Sequence, residues 1–248
     1  MQTNTIGFSN TANGYEALHS NTDGYSNTAI GESALTANTK GDYNTAVGFE
    51  AFNNGTAYSN STAIGNSSAI TASNQVRIGN NAVTSIGGFA NWSNVSDRRF
   101  KKDIQENVAG LDFINSLRPV TYKLDMDAIA NHLDHKERNI ELEKEKAAEI
   151  QTGFIAQEVE AAAKESGYKF SGVDAPKNDN DHYGLRYAEF TVPLVKAVQE
   201  LSAELEESRQ QNQQLKADNE EMKTKLQELD QMRAELDKIK LLLNTKAT

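Results

Sequence analysis

The sequence predicts a multi-part molecule: an N-terminal β-solenoid or β-roll of short repeats over residues 1–95, a small α+β domain over 96–193, and a C-terminal coiled-coil helix over 194–248. Three observations carry this division. A Thr-Ala-X-Gly unit recurs every 17 residues in the first part. All three prolines and 53 of the 60 charged side chains lie after residue 95. In the last part, apolar residues advance by alternating steps of four and three. A fixed short period signals a repeat architecture, and a mean spacing of 3.5 residues signals helices wound around each other.

The solenoid reading rests on Thr11-Ala-Asn-Gly14, Thr28-Ala-Ile-Gly31, Thr45-Ala-Val-Gly48 and Thr62-Ala-Ile-Gly65, followed 14 residues later by Val76-Arg-Ile-Gly79. A second phase, Asp23-Gly-Tyr25 and Gly41-Asp-Tyr43, lies between them. β-branched residues with a Gly at each corner and Asn, Ser and Thr between fit one coil per repeat. Each coil has few apolar side chains: Ala29, Ile30, Ala34 and Leu35 in one, Ala46, Val47, Ala51 and Phe52 in the next. That is thin for a lone chain, so the apolar edge is expected to bury against other copies around a threefold axis. Tyr15, Tyr25 and Tyr43 read as coil-packing residues. The repeats resemble those in the heads of trimeric autotransporter adhesins and the shafts of phage tail fibres.

In the middle part, Asn107–Leu117 reads as a helix stopped by Pro119, and Val120–Leu124 alternates like a strand. Residues 128–150 form a highly charged helical stretch. Gly153–Ala156 reads as a short strand, Gln157–Glu165 as a helix, Gly172–Gly184 as a loop and Tyr183–Tyr187 as a strand. Thr191-Val-Pro193 opens the long helix, with Pro in its first turn. Its seam is Val198, Leu201, Leu205, Ser208, Asn212, Leu215, Asn219, Met222, Leu226 and Leu229. Strict continuation would bring in Arg233 and Lys240, whereas a shift to Met232, Leu236, Ile239 and Leu243 keeps the seam apolar, so a change of phase is expected near Leu229. A helix of this length with one apolar seam has no single-chain core and predicts an oligomer. Asn212 and Asn219 would fix its register.

Composition excludes several classes. A net charge of −10 rules out a nucleic-acid binder that relies on phosphate attraction. The absence of cysteine excludes disulfides, thiolate metal sites and cysteine nucleophiles. No stretch is apolar enough for a membrane span, and the first twenty residues lack the basic start and apolar run of a secretory leader. In 1–95 no carboxylate pair suits glycoside hydrolysis. His132, Asp134, His135 and Glu137, and the Asp174–Asp181 loop with Asp179 and Asp181, fall short of metal-ligand patterns, so neither metal nor cofactor is expected.

Ser96 and Lys101 are the chemical candidates. A serine hydroxyl becomes a nucleophile when a neighbouring base takes its proton. A lysine serves as that base when desolvation or nearby cations lower its pKa. Five residues apart, the two meet on a tight turn or a helix start. The same stretch also reads as a capping Ser96-Asp97 pair followed by the solvated cations Arg98, Arg99, Lys101 and Lys102, and spacing leaves both readings open.

Four motifs occur in one order: Ser96-Asp-Arg-Arg-Phe-Lys-Lys-Asp-Ile104, Leu117-Arg-Pro-Val-Thr-Tyr122, Gly153-Phe-Ile-Ala-Gln-Glu-Val159, and Tyr187-Ala-Glu-Phe-Thr-Val-Pro-Leu-Val-Lys-Ala-Val-Gln-Glu-Leu201. The series resembles the C-terminal intramolecular chaperone auto-processing domain of phage endosialidases, tailspikes and tail fibres, also found in some bacterial surface proteins and in myelin regulatory factor. The resemblance implies a domain that trimerises, templates folding of the preceding β-fibre and then cuts itself off with a Ser-Lys dyad. The family's serine falls on Ser96 as nucleophile and its lysine on Lys101 as general base. The implied cut is Val95–Ser96, with Ser96–Asp97 also compatible, and Asp97, Arg99, Gln157 and Glu158 are the expected supporting residues. The implied partners are two further copies and the fibre of the same chain, with a host surface glycan or receptor met through the fibre. No nucleic acid or membrane insertion is expected. The implied location is a virion tail fibre assembled in the host cytoplasm, or a bacterial cell surface. The alternative is an uncut structural or adhesive fibre tip that keeps the domain as a permanent trimerisation cap.

Overall fold

A computed structural model describes residues 2–135 and 138–246, with side chains up to residue 240. The chain divides into two compact units. One comprises the residues up to Asn107 together with Ser116–Phe190, the other Val108–Asn115 together with the residues from Thr191 onward.

The first unit begins with a β-solenoid of about four turns. Strands β1 (Thr11–Asn13), β2 (Thr28–Ile30), β3 (Thr45–Val47), β4 (Thr62–Ile64) and β5 (Val76–Ile78) form one parallel sheet in that order. Equivalent residues face each other: Ala29 pairs with Ala46 and Ala46 with Ala63. The shortened last repeat keeps register, placing Arg77 opposite Ala63.

Because side chains alternate across a strand, the apolar residues sort into two sets. Ala29, Ala34, Leu35, Ala46, Ala51, Phe52 and Ala63 point inward and are completely buried within a single chain. They need no second copy, which narrows the expectation that the whole apolar edge is covered by other copies. The outward row Ile30, Val47, Ile64 and Ile78 stays 37–42% exposed. The tyrosines also divide. Tyr25 stacks on Phe8 at 4.9 Å and meets Tyr43 edge-on at 5.1 Å, whereas Tyr15 is exposed.

Two further ladders hold the coils. Asn38 Nδ2 donates to Asn21 Oδ1 (2.8 Å) and to Gly41 O (3.0 Å), and Asn21 Nδ2 donates to Asn4 Oδ1 (3.0 Å). In the second ladder, Asn27 Oδ1 accepts from Asn44 N (3.0 Å) and Asn44 Oδ1 from Ser61 N (3.1 Å). Asn21, Asn27, Asn38 and Asn44 are buried, and each amide binds groups of a neighbouring coil that would otherwise be orphaned.

The remainder of this unit is small and mixed. β6 (Val120–Tyr122) pairs antiparallel with β7 (Gln151–Gly153), and β8 (Val173–Asp174) with β9 (Gly184–Leu185). In chain order, α1 (Leu111–Ser116), which belongs almost wholly to the second unit, precedes β6, α2 (Met126–His132) and α3 (Ile140–Ala148) lie between β6 and β7, and α4 (Ala156–Glu165) follows β7. Several boundaries depart from expectation. The helix expected from Asn107 starts at Leu111. The single charged helix is two helices, each with its own cap: Asp125 accepts from Ala128 N, and Asn139 from Leu142 N. The strand expected at 153–156 lies at 151–153, because the pairing partner of Val120 is Gly153 and Ala156 already begins α4. The loop 172–184 contains β8, and the strand expected over 183–187 is confined to Gly184–Leu185 before a 3-10 turn at Tyr187–Phe190.

In the second unit, α5 runs without interruption from Thr191 to Lys246, past Leu229, where the sequence leads one to expect a change of phase. Leu111 N, at the start of α1, donates to Glu200 Oε2 on α5 at 2.7 Å. Seam residues from Leu201 to Ile239 are more than half exposed in the single chain, which leaves the helix with an uncovered apolar stripe. Among the described residues no helix is long and apolar enough to cross a membrane.

Candidate active site

The stretch after the solenoid is exposed and mostly irregular until a short 3-10 turn at Arg98–Phe100. Asp97 makes that turn. Its Oδ1 accepts from Arg99 N at 2.8 Å, and its carbonyl accepts from Phe100 N at 3.0 Å. The Arg99 guanidinium reaches both carboxylate oxygens, with Nη2–Oδ2 at 2.7 Å. The Arg99 side chain, helped by its backbone N–H, holds the Asp97 carboxyl below its usual range. Lys101 N then closes on Arg98 O at 3.2 Å, so the chain doubles back on itself.

This turn converts a five-residue spacing into contact: Lys101 Nζ donates to Ser96 Oγ at 2.8 Å. That is the separation at which a proton passes between a nucleophile and its base. In the single chain Ser96 and Lys101 are exposed, and Val95 is 83% exposed.

Of the expected supporting residues, Asp97 and Arg99 are part of the turn, whereas Gln157 and Glu158 lie on α4. Glu158 pairs there with Arg118, with Nε–Oε2 at 3.1 Å, and Gln157 is exposed. The contact joins the second motif to the third, which also pair through β6 and β7. The third meets the fourth where Tyr187 Oη accepts from Phe154 N at 3.2 Å, with Phe190 stacked on Phe154 at 5.3 Å. A Cβ on Gly153 would lie 2.2 Å from the Tyr187 hydroxyl, so a larger residue there would have to displace the Tyr187 side chain.

His132 lies edge-on to His182 at 6.0 Å and His135 packs against the Ser67 backbone, while Glu137 falls outside the described residues. Asp181, which the sequence offers only as part of an acidic loop, is buried and bonded to donors. It accepts from Thr71 Oγ1 at 2.6 Å, Gln75 Nε2 at 3.1 Å and Lys177 N at 3.1 Å. Burial pushes its carboxyl up, but these bonds and that from His182 N outweigh it and bring it down to about 2. A contact between residues more than a hundred positions apart leaves no local signal in a sequence.

Residues 96–168 match the model of a protein family described as chaperone of endosialidase. The match begins at Ser96 and spans the first three motifs. No curated protein and no solved structure matches the chain. Residues 96–168, which lie in sequence between the solenoid and the long helix, are thus similar to the chaperone-of-endosialidase family.

Proposed function

We propose that residues 96–248 trimerise, template folding of the β-solenoid and then release themselves by autoproteolysis at Val95–Ser96. The observation that supports this most directly is the 2.8 Å contact of Lys101 Nζ with Ser96 Oγ at the first residues of the family match. Lys101 takes the hydroxyl proton as Ser96 Oγ attacks the carbonyl carbon of Val95. The C–N bond breaks, and the Ser96 nitrogen leaves as an amine carrying that proton. Water then hydrolyses the ester, leaving a carboxylate on Val95 and restoring the Ser96 hydroxyl. The uncovered dyad and the uncovered seam of α5 agree with a reaction that waits for assembly: neighbouring copies bury the seam, and their coverage desolvates Lys101. The fibre so made belongs to a virion tail or a bacterial surface, and meets a host glycan or receptor through its solenoid.

The test is a denaturing gel of the purified wild-type chain beside Ser96→Ala and Lys101→Ala. Wild type should give fragments 1–95 and 96–248, and both variants should stay whole. A wild-type chain that assembles and remains full length would remove self-cleavage, and unaltered cutting of Lys101→Ala would remove the proposed base. The alternative, an uncut tip with a permanent cap, draws on the buried contact of Asp181 with the solenoid.

A further inference from the structure

The last coil of a solenoid has no following coil to satisfy it. Here its open end is met by a loop from beyond the proposed cut. Asp181 accepts from Thr71 Oγ1 and Gln75 Nε2, and Asn178 Nδ2 donates to Thr71 O at 2.9 Å. Thr71, Gln75 and Asp181 are each less than a tenth exposed. Both sides are shaped for the contact. In the loop, Lys177 N donates to Asp181 Oδ2, and Asn180 N donates to Asn178 Oδ1 at 2.8 Å. In the coil, Gln75 Oε1 accepts from Thr71 N at 3.0 Å and Ala72 N at 3.2 Å, which turns its amide N–H towards Asp181. A second patch lies at α3, where Asn81 Nδ2 donates to Glu143 Oε1 at 3.2 Å and Lys146 Nζ to Val83 O at 2.8 Å. Glu143 is itself buried and held by Arg138 Nε at 2.9 Å.

We infer that these contacts form a noncovalent joint through which the domain grips the finished last coil, so that the cut at Val95–Ser96 severs the chain and release of the domain is a later step that waits for this joint to open. The surface around Asp181 fits one kind of partner: a folded coil that presents a threonine hydroxyl, a glutamine amide and a free backbone carbonyl within one turn. An unfolded coil cannot offer the three together, and the buried carboxylate would then lack its donors. The joint therefore reads completion of the last coil before it closes. This rests on the proposed function for the place of the cut, while the joint itself is independent of whether the chain cuts itself.

The experiment separates the two. In a full-length Ser96→Ala chain, residues 88–93, where Phe89 and Trp92 are almost fully exposed, are replaced by the recognition sequence of an added protease. The chain is cut and then diluted through a gel-filtration column. The two fragments should co-elute and should separate on a denaturing gel. Asp181→Ala in the same background should release the solenoid fragment at least tenfold faster, and the near-isosteric Thr71→Val should do so if Asp181→Ala fails to fold. Fragments that part on dilution with Asp181 intact would overturn the joint, as would retention unchanged in both variants. Since the added protease makes the cut, the absence of self-cleavage cannot produce either result.

Discussion

Gly48 shows how strictly a single position is fixed. Its φ of +133° lies where side chains are rarely found, and a Cβ there would lie 2.6 Å from the carbonyl oxygen of Gly65 in the next coil. Gly48→Ala combines backbone strain with a backbone clash that no rotamer relieves, and should cost at least about 3 kcal/mol, read as a lower denaturation midpoint. Asn44 is fixed for another reason. Asn44→Leu keeps the branching of the side chain but leaves Ser61 N and Tyr58 O without their partner, and two orphaned backbone groups should cost about 2–5 kcal/mol in the same measurement. The glycine column was legible from its 17-residue period. The asparagines looked like polar filling, because their role exists only when one coil lies on another.

The elements differ in how far their partners were visible. α5 was read to its first residue, since a seam repeats along the helix that carries it. In the single chain, Asn212 and Asn219 of that seam donate to the carbonyls of Ser208 and Leu215, each at 2.9 Å. Asn219→Leu should stabilise the assembled helices and loosen their register, seen as a higher melting temperature with mixed oligomeric states in light scattering. The joint should respond to acid. Burial, then the charges of Arg77 and His132, push His182 below its ordinary 6.5, against the pull of Asp181 and Asp174. Burial, with Arg138, also lowers His135, against Glu143, the Ser67 backbone and Asp134. A pKa lowered on docking means stability that is complete above the free value and lost as pH falls below it, so the histidines weaken the joint below about pH 6.5. Asp181, lowered from 3.8 to about 2, adds a second loss across that interval. Gel filtration of the protease-cut chain from pH 7.5 down to pH 3 should show solenoid fragment appearing as pH drops. Tighter association at pH 5 than at pH 7.5 would contradict the assignment.

At the scale of the whole molecule, the question is why a fibre segment would carry a clamp. Parallel pairing between distant residues is slow to find and exposes sticky edges while it forms, and a clamp that gathers three chains lowers the cost of the search. Expression of residues 1–95 alone should give insoluble or monomeric protein, while the full chain gives soluble trimers; soluble trimers of the short piece would remove the chaperone role. The burial of Ala29, Leu35 and Phe52 inside one chain limits what the proposed clamp must supply: the coil cores need no second copy, and the outward row at Ile30, Val47 and Ile64 is what a trimer would have left to align.

By itself, the sequence determined the three-part plan, the 17-residue coil and the long helix. Each of these is written as a period or a composition break, so the local geometry of strand or helix suffices to read it, whereas the spacing of Ser96 and Lys101 left a dyad and a capped turn both open, and only the resemblance of the four motifs favoured the dyad. Only the tertiary structure decided that Asp97 folds the turn bringing Lys101 to Ser96, that the asparagines form ladders, and that Asp181 closes on Thr71 and Gln75. The first depends on which of several local hydrogen bonds the Asp97 carboxylate makes. The other two depend on burial, which turns an exposed polar side chain of little energetic consequence into a group whose partners must be present.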